Sequence, residues 1–255
     1  MSENSLKLTR APIIEAIVDI DCDMPPKFDL AEHEAAAKEA FSEPYPMFEA
    51  QVSENHKIEL QADKSLQHRV KRGLAAFRFR NGDGRQLVQV RAQGFSFNRL
   101  APYTTLDDYL AEIERCWKLY AALTGPTQIQ SIKLRYINRI LLPLFNSEVM
   151  DLADFFEVIP QLPSQSNLEL TGFLNQYGAV EVDTGNLANI VLTVQEAEAG
   201  QLPIIFDISV IHQKPGEIED WPWILSKIMS LRSLKNRIFQ NTLTQQCLEL
   251  FQTSD

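Results

Sequence analysis

Eleven side chains in this 255-residue sequence have the type and spacing to hold charge or an anion. Eight fall in three short runs: Glu15; then Asn98, Arg99 and Tyr103; then Arg135, Tyr136, Asn138 and Arg139. Neighbours along a strand point to opposite faces, so Arg99 shares a face with Phe95 and Phe97, while Asn98 shares the other with Ser96 and Leu100. By the same rule Arg135, Ile137 and Arg139 face one way, and Leu134, Tyr136, Asn138 and Ile140 the other. An arginine among apolar neighbours either reaches water with its head group or pairs with an acid. Glu15, between Ile13 and Ile17 on its face, is the acid expected to pair with Arg99 or Arg139, and Asp207 is the next candidate. The plainer explanation of both arginines is that they tie strands together.

The remaining three are Arg78, Arg80 and Arg91. Residues 74–80 alternate with period two, Asn81-Gly82-Asp83-Gly84 turns, and residues 86–91 return, the pattern of a hairpin. Arg78 and Arg80 face away from Phe77 and Phe79, and Arg91 joins them if the hairpin is in register. Guanidinium groups at this density can hold phosphate or carboxylate bidentately; a solvated strand face produces the same alternation. From Lys64 to Arg99 nine basic residues stand against Asp83 alone, inside a protein of net charge -10. The overall acidity disfavours nucleic acid as a partner, while the basic segment leaves room for one cationic face.

Other chemistries find no signature. No GxSxG, P-loop or GxGxxG occurs, so neither a catalytic residue nor a cofactor is assigned. His33, His56, His68 and His212 are scattered without metal-ligand spacing. Cys22, Cys116 and Cys247 form no CxxC pair, which suits a reducing cytoplasm. Hydrophobic residues make up 45% of the chain, enough to bury a core, so disorder is excluded as the main state. No apolar run approaches the roughly 18 residues of a membrane helix, and the first residues lack the layout of a signal peptide.

These side chains must be positioned by a mixed set of elements. Strands are expected at residues 12–20, 48–52, 57–61, 74–80, 86–91 and 95–100, and helices at 28–41 and 106–123. Thr124-Gly125-Pro126 is a firm break. A long strand then covers 129–142, a short helix 148–156, and further strands lie near 168–182, 190–195 and 204–212. Asp220 caps a final helix running to about residue 251, with Pro222 in its first turn. Its apolar positions Ile224, Leu225, Ile228, Leu231, Leu234, Ile238 and Leu248 form a core stripe, or alternatively a homodimer seam. Trp221 and Trp223 close the core at its start or anchor an interface. Read side by side, residues 1–127 and 128–255 repeat the order strand, helix, strands, helix. The expected fold is therefore α+β in two similar halves, each a curved antiparallel sheet on a long helix, an order like that of TATA-box-binding proteins and suggestive of an internal duplication.

Several segments resemble a sporadically distributed family of uncharacterised bacterial proteins of about this length. They are Ala11-Pro12-Ile13-Ile14-Glu15-Ala16, Phe95–Leu100 with Pro102-Tyr103, Leu134–Ile140, and the final-helix positions Leu231, Asn236, Phe239, Leu243 and Thr244. The resemblance spans nearly the whole chain and implies an accessory gene product, in a defence or toxin–antitoxin setting. The expected function is non-enzymatic: recognition of a protein partner or an anionic ligand in a groove between the halves. The eight residues first named would line that groove. The alternative is an enzyme on a phosphorylated or nucleotide-like substrate, its arginines serving as anion clamps.

Overall fold

The computed structural model describes residues 8–60, 66–144, 151–163, 168 and 170–252, with side chains described except at 55–60 and 66–71. The β-branched run after Pro12 forms β1 (Ile13–Asp23). The expected helix at 28–41 is a 3-10 turn, Leu30–His33, whose Asp29 carboxylate accepts from the Ala31 N–H, running into α1 (Glu34–Phe41). The two strands expected at 48–52 and 57–61 are one long β2 (Met47–Leu60), paired with β3 (Leu66–Arg80); position 61 lies outside the described residues. The hairpin continues into β4 (Gln86–Arg91) and β5 (Gly94–Leu100). A second 3-10 turn, Leu106–Tyr109, opens α2 (Leu110–Thr124), and the Asp108 carboxylate accepts from the Thr105 N–H at its start. Gly125 ends α2 at φ 58°, the left-handed conformation that favours glycine.

After the break come β6 (Gln128–Pro143), β7 (Leu174–Val180), β8 (Leu187–Val194) and β9 (Gln201–His212). The helix expected at 148–156 lies partly outside the described residues; its remainder is a 3-10 turn, Leu152–Asp154. Asp220 caps α3 (Trp221–Thr242), its carboxylate accepting from the Trp223 N–H at 2.9 Å. The last helix is not continuous to residue 251. Leu243 is extended, and Thr244 caps a separate short α4 (Gln245–Glu249).

The expectation of two similar halves, each with its own sheet on a long helix, is corrected by the sheet itself. The nine strands of the described residues form one antiparallel sheet in the order β2-β3-β4-β5-β1-β6-β9-β8-β7. β1 pairs along its length with β6, from Ile13 opposite Asn138 to Asp23 opposite Gln128 with register shifts after Ile13 and after Asp21, so one backbone ladder joins the two sides of the 127/128 boundary. The helices are unequal as well: α1 has 8 residues, α2 has 15 and α3 has 22. Which strands pair across more than a hundred residues is set by burial and by the ladder; local hydrophobic period does not report it.

One face of this sheet carries the helices. α3 packs on β6 and β9, α2 on β5 and α1 on β3. The alternate residues Ile132, Leu134, Tyr136, Asn138, Ile140 and Leu142 of β6 are buried beneath them, joined by Phe95 and Phe97 from β5 and Phe206 from β9. Trp117 and Tyr120 of α2 meet Phe95, and Phe239 of α3 stacks on Phe206 with ring centroids 5.8 Å apart. Among the described residues no helix packs over the opposite face, whose centre is polar, with Asp19, Ser96, Lys133, Arg135 and Asp207 side by side. Among the described residues no helix is long and apolar enough to cross a membrane.

Candidate functional site

The sheet divides the eight residues expected to share one groove. Glu15, Asn98, Arg135 and Arg139 lie on the open face; Arg99, Tyr103, Tyr136 and Asn138 lie on the helix side. The pairing expected for Glu15 does not form. Its carboxylate accepts from Asn98 Nδ2 at 2.7 Å, because Asn98 sits on the same open face of the neighbouring strand. Arg99 turns the other way, its guanidinium 5.0 Å from the Tyr109 ring centroid and its Nη2 donating to the Pro102 carbonyl. Arg139 pairs with Glu198 and donates to Gln195 Oε1.

On the open face most of the cations stand beside a carboxylate. Arg135 grips Asp207 with Nε at 3.0 Å from both carboxylate oxygens and Nη2 at 2.5 Å from Oδ2. Asp19, 7% exposed, accepts from Ser96 Oγ at 2.5 Å and faces Lys133 Nζ at 2.6 Å. Arg78, Arg80 and Arg91 do share a face, since Arg91 stands opposite Ala76 in the β3–β4 register. Arg91, however, donates to Asp21 at 2.8 Å and to the Phe95 carbonyl at 3.0 Å, and Arg78 lies 3.8 Å from Glu49. These contacts favour the tying role for most of the open-face arginines. A guanidinium gripped by a carboxylate has less uncompensated charge and fewer free N–H donors left for a ligand.

The helix side behaves differently. Here the segment from Leu8 to Ile13, the loop from Tyr103 to Asp107, β6 and α3 enclose a cleft of about 590 Å³, within the range of small-molecule sites. Its floor is Tyr136 and Asn138, 2% and 1% exposed. Asn138 is oriented by donating from Nδ2 to the Phe206 carbonyl at 2.9 Å. Tyr136 and Tyr103 share a hydrogen bond between their hydroxyls at 2.8 Å, with their rings edge to face. Burial raises both phenols, Tyr136 to about 12 and Tyr103 further with its partner's help, so both remain protonated.

The wall contributed by α3 holds the residue that sequence reasoning missed. Helical spacing places Ile228, Leu231, Lys235, Phe239 and Thr242 on the buried face. Lys235 thus occupies a position that helical period assigns to an apolar side chain, four residues from Leu231 and four from Phe239. It is 9% exposed. Among the described residues no carboxylate pairs with it; its Nζ lies 4.1 Å from the centroid of the Tyr136 ring. Burial, reinforced by the positive charge of Arg232 one turn away, lowers its pKa from 10.5 to about 7. Arg232 itself donates to Asp107 at 2.8 Å on the rim. A cleft with a buried amine, two phenols and an asparagine on its walls, and an arginine at its edge, can receive an anion or a polar ligand. The sequence signal was available: a lysine that interrupts the 3-4 spacing of an otherwise apolar helix face.

A smaller cleft of about 370 Å³ involves His212, Asn186, Lys227 and Trp223. There His212 Nδ1 and Asn186 Oδ1 already satisfy each other at 2.9 Å, and burial with Lys227 and Lys214 lowers the imidazole's pKa. Cys22, Cys116 and Cys247 are buried, and burial pushes each thiol up to about 12, away from nucleophilic use. No cluster of three or more potential metal ligands occurs among the described residues.

Fold and site together define a single-sheet protein with helices on one face and a polar cleft between sheet and last helix. Comparison with protein-family models and with curated proteins gives no match.

Proposed function

We propose that this protein is a binding protein for a small anionic molecule, and that the cleft beneath α3 receives it. The observation that carries the reading is Lys235: an amine nine-tenths buried on the cleft wall, with no carboxylate beside it among the described residues. A charge in such a place is costly unless an opposite charge joins it, and a bound anion supplies one. Arg232, partly engaged by Asp107, adds a second positive charge at the rim. Tyr103, Tyr136 and Asn138, three of the residues singled out from sequence, then serve the same ligand as polar wall groups. A cytoplasmic setting and an accessory role belong to this proposal: three unpaired buried cysteines suit a reducing compartment.

Thermal melts at pH 7 of the wild type and of Lys235→Met, with millimolar inorganic phosphate, acetate, succinate or benzoate, test it. At least one of these anions is expected to raise the wild-type Tm by several degrees, corresponding to roughly 2–3 kcal/mol at a hundredfold excess over Kd. The variant should not respond to that anion. An identical response of the two proteins to all four overturns the reading.

A further inference from the structure

We infer that Lys235 is a carbonyl-reactive amine whose ligand class is the small 2-oxo acids, molecules that bring an anionic carboxylate and an adjacent ketone or aldehyde into the cleft together. The inference rests on the proposal that the cleft admits an anion, and adds what the amine does to it.

The argument begins with the balance of forces on Nζ. The Tyr136 ring face, 4.1 Å away, favours the ammonium. Burial and Arg232 oppose it. The charged and titratable groups facing the amine are Arg232 on its own helix, Asp107 on the rim loop, and the phenols of Tyr103 and Tyr136. Asp107 is engaged by Arg232, and the phenols stay neutral. None of them stabilises a permanent cation by pairing, so a large share of the amine carries a free lone pair near neutral pH. That is the state in which a lysine acts as a nucleophile.

The wall offers the proton donors that the addition requires. The Nζ lone pair attacks the carbonyl carbon and forms the C–N bond, while the C=O π pair moves to oxygen; the oxygen takes up a proton as the nitrogen releases one of its two, giving a neutral carbinolamine. The carbinolamine hydroxyl then leaves as water with a second proton, and loss of the remaining N–H proton from the iminium leaves a neutral imine. The Tyr103–Tyr136 pair, two hydroxyls 2.8 Å apart, can hand protons between the cleft and the partly exposed Tyr103 side. A carboxylate on the ligand is what Arg232 at the rim can meet.

The test uses the full-length protein with pyruvate or glyoxylate and sodium cyanoborohydride, which reduces an imine to a stable secondary amine. Intact mass and peptide mapping then locate the adduct. The expected result is one predominant adduct at Lys235, forming at least tenfold faster than at any other lysine, and a rate that rises between pH 6 and 8. Lys235→Arg should give no such adduct. Binding of lactate, which has the carboxylate without the carbonyl, is followed in parallel by thermal shift. Lactate binding with no preferential trapping of pyruvate or glyoxylate overturns this inference and leaves the anion-binding reading standing. With neither lactate binding nor trapping this inference is overturned, and the anion-binding reading is decided by the four-anion comparison of wild type and Lys235→Met. Equal labelling across surface lysines overturns the inference in either case.

Discussion

Replacing Lys235 by methionine should change how stability depends on pH, in a direction fixed by the buried amine. Its pKa in the folded protein is about 7 against an ordinary 10.5. Between these values the unfolded chain keeps its proton while the folded chain releases it. The unfolded state therefore binds more protons, and the wild type gains stability as pH rises through this window. Below about pH 7 both states are charged, and above pH 10.5 both are neutral, so outside the window the contribution is flat. Each pKa unit corresponds to about 1.4 kcal/mol, and from pH 7 to pH 9 the gain integrates to about 2 kcal/mol. Urea unfolding of wild type and Lys235→Met across pH 6–10 isolates it, because other titrations cancel in the difference. The variant should be the more stable protein at pH 7, since its isosteric side chain needs no counter-charge, and its advantage should shrink by about 2 kcal/mol by pH 9. A difference that stays constant over this range would refute the placement of Lys235 as a buried, unpaired amine.

Three further outcomes follow from contacts on and beneath the sheet. Asp19→Asn leaves Lys133 and Ser96 facing a neutral amide at a site 7% exposed, and should cost about 2–3 kcal/mol in denaturant unfolding. Asp207→Ala removes the bidentate partner of Arg135, whose side chain is 40% exposed, so the loss should be only about 1 kcal/mol; in a double-mutant cycle Arg135→Ala should add little to it. Cys22, Cys116 and Cys247, buried and with thiols raised to about 12, should react with Ellman's reagent at pH 8 only after urea is added, and rapid labelling of the native protein would count against their burial.

Much of the local structure was legible because each signal was local. Alternation around Asn81-Gly82-Asp83-Gly84 identified the β3–β4 hairpin, and Asp220 with Pro222 identified the start of α3. The face assignments of Arg99, Asn98, Arg135 and Tyr136 followed from the two-residue period of strands, and the structure has them on those faces. What the period does not carry is which strand lies beside which. The pairing of β1 with β6 joins segments more than a hundred residues apart, and without it the open face and the helix face were treated as one groove. The partner of Glu15 failed for the same reason: Asn98 is its neighbour only once β5 lies against β1 in the observed register. Lys235 is masked in sequence by its charge, which ordinarily marks an exposed position, although its spacing from Leu231 and Phe239 makes it inward-facing.

The most direct measurement is the titration of Lys235 itself. In protein labelled with [13Cε]lysine, one resonance should titrate near pH 7, vanish in Lys235→Met, and move to higher pKa when an anion that stabilises the protein is added. Lysine resonances that all titrate near the ordinary value of about 10.4, with and without the anions, would contradict the account.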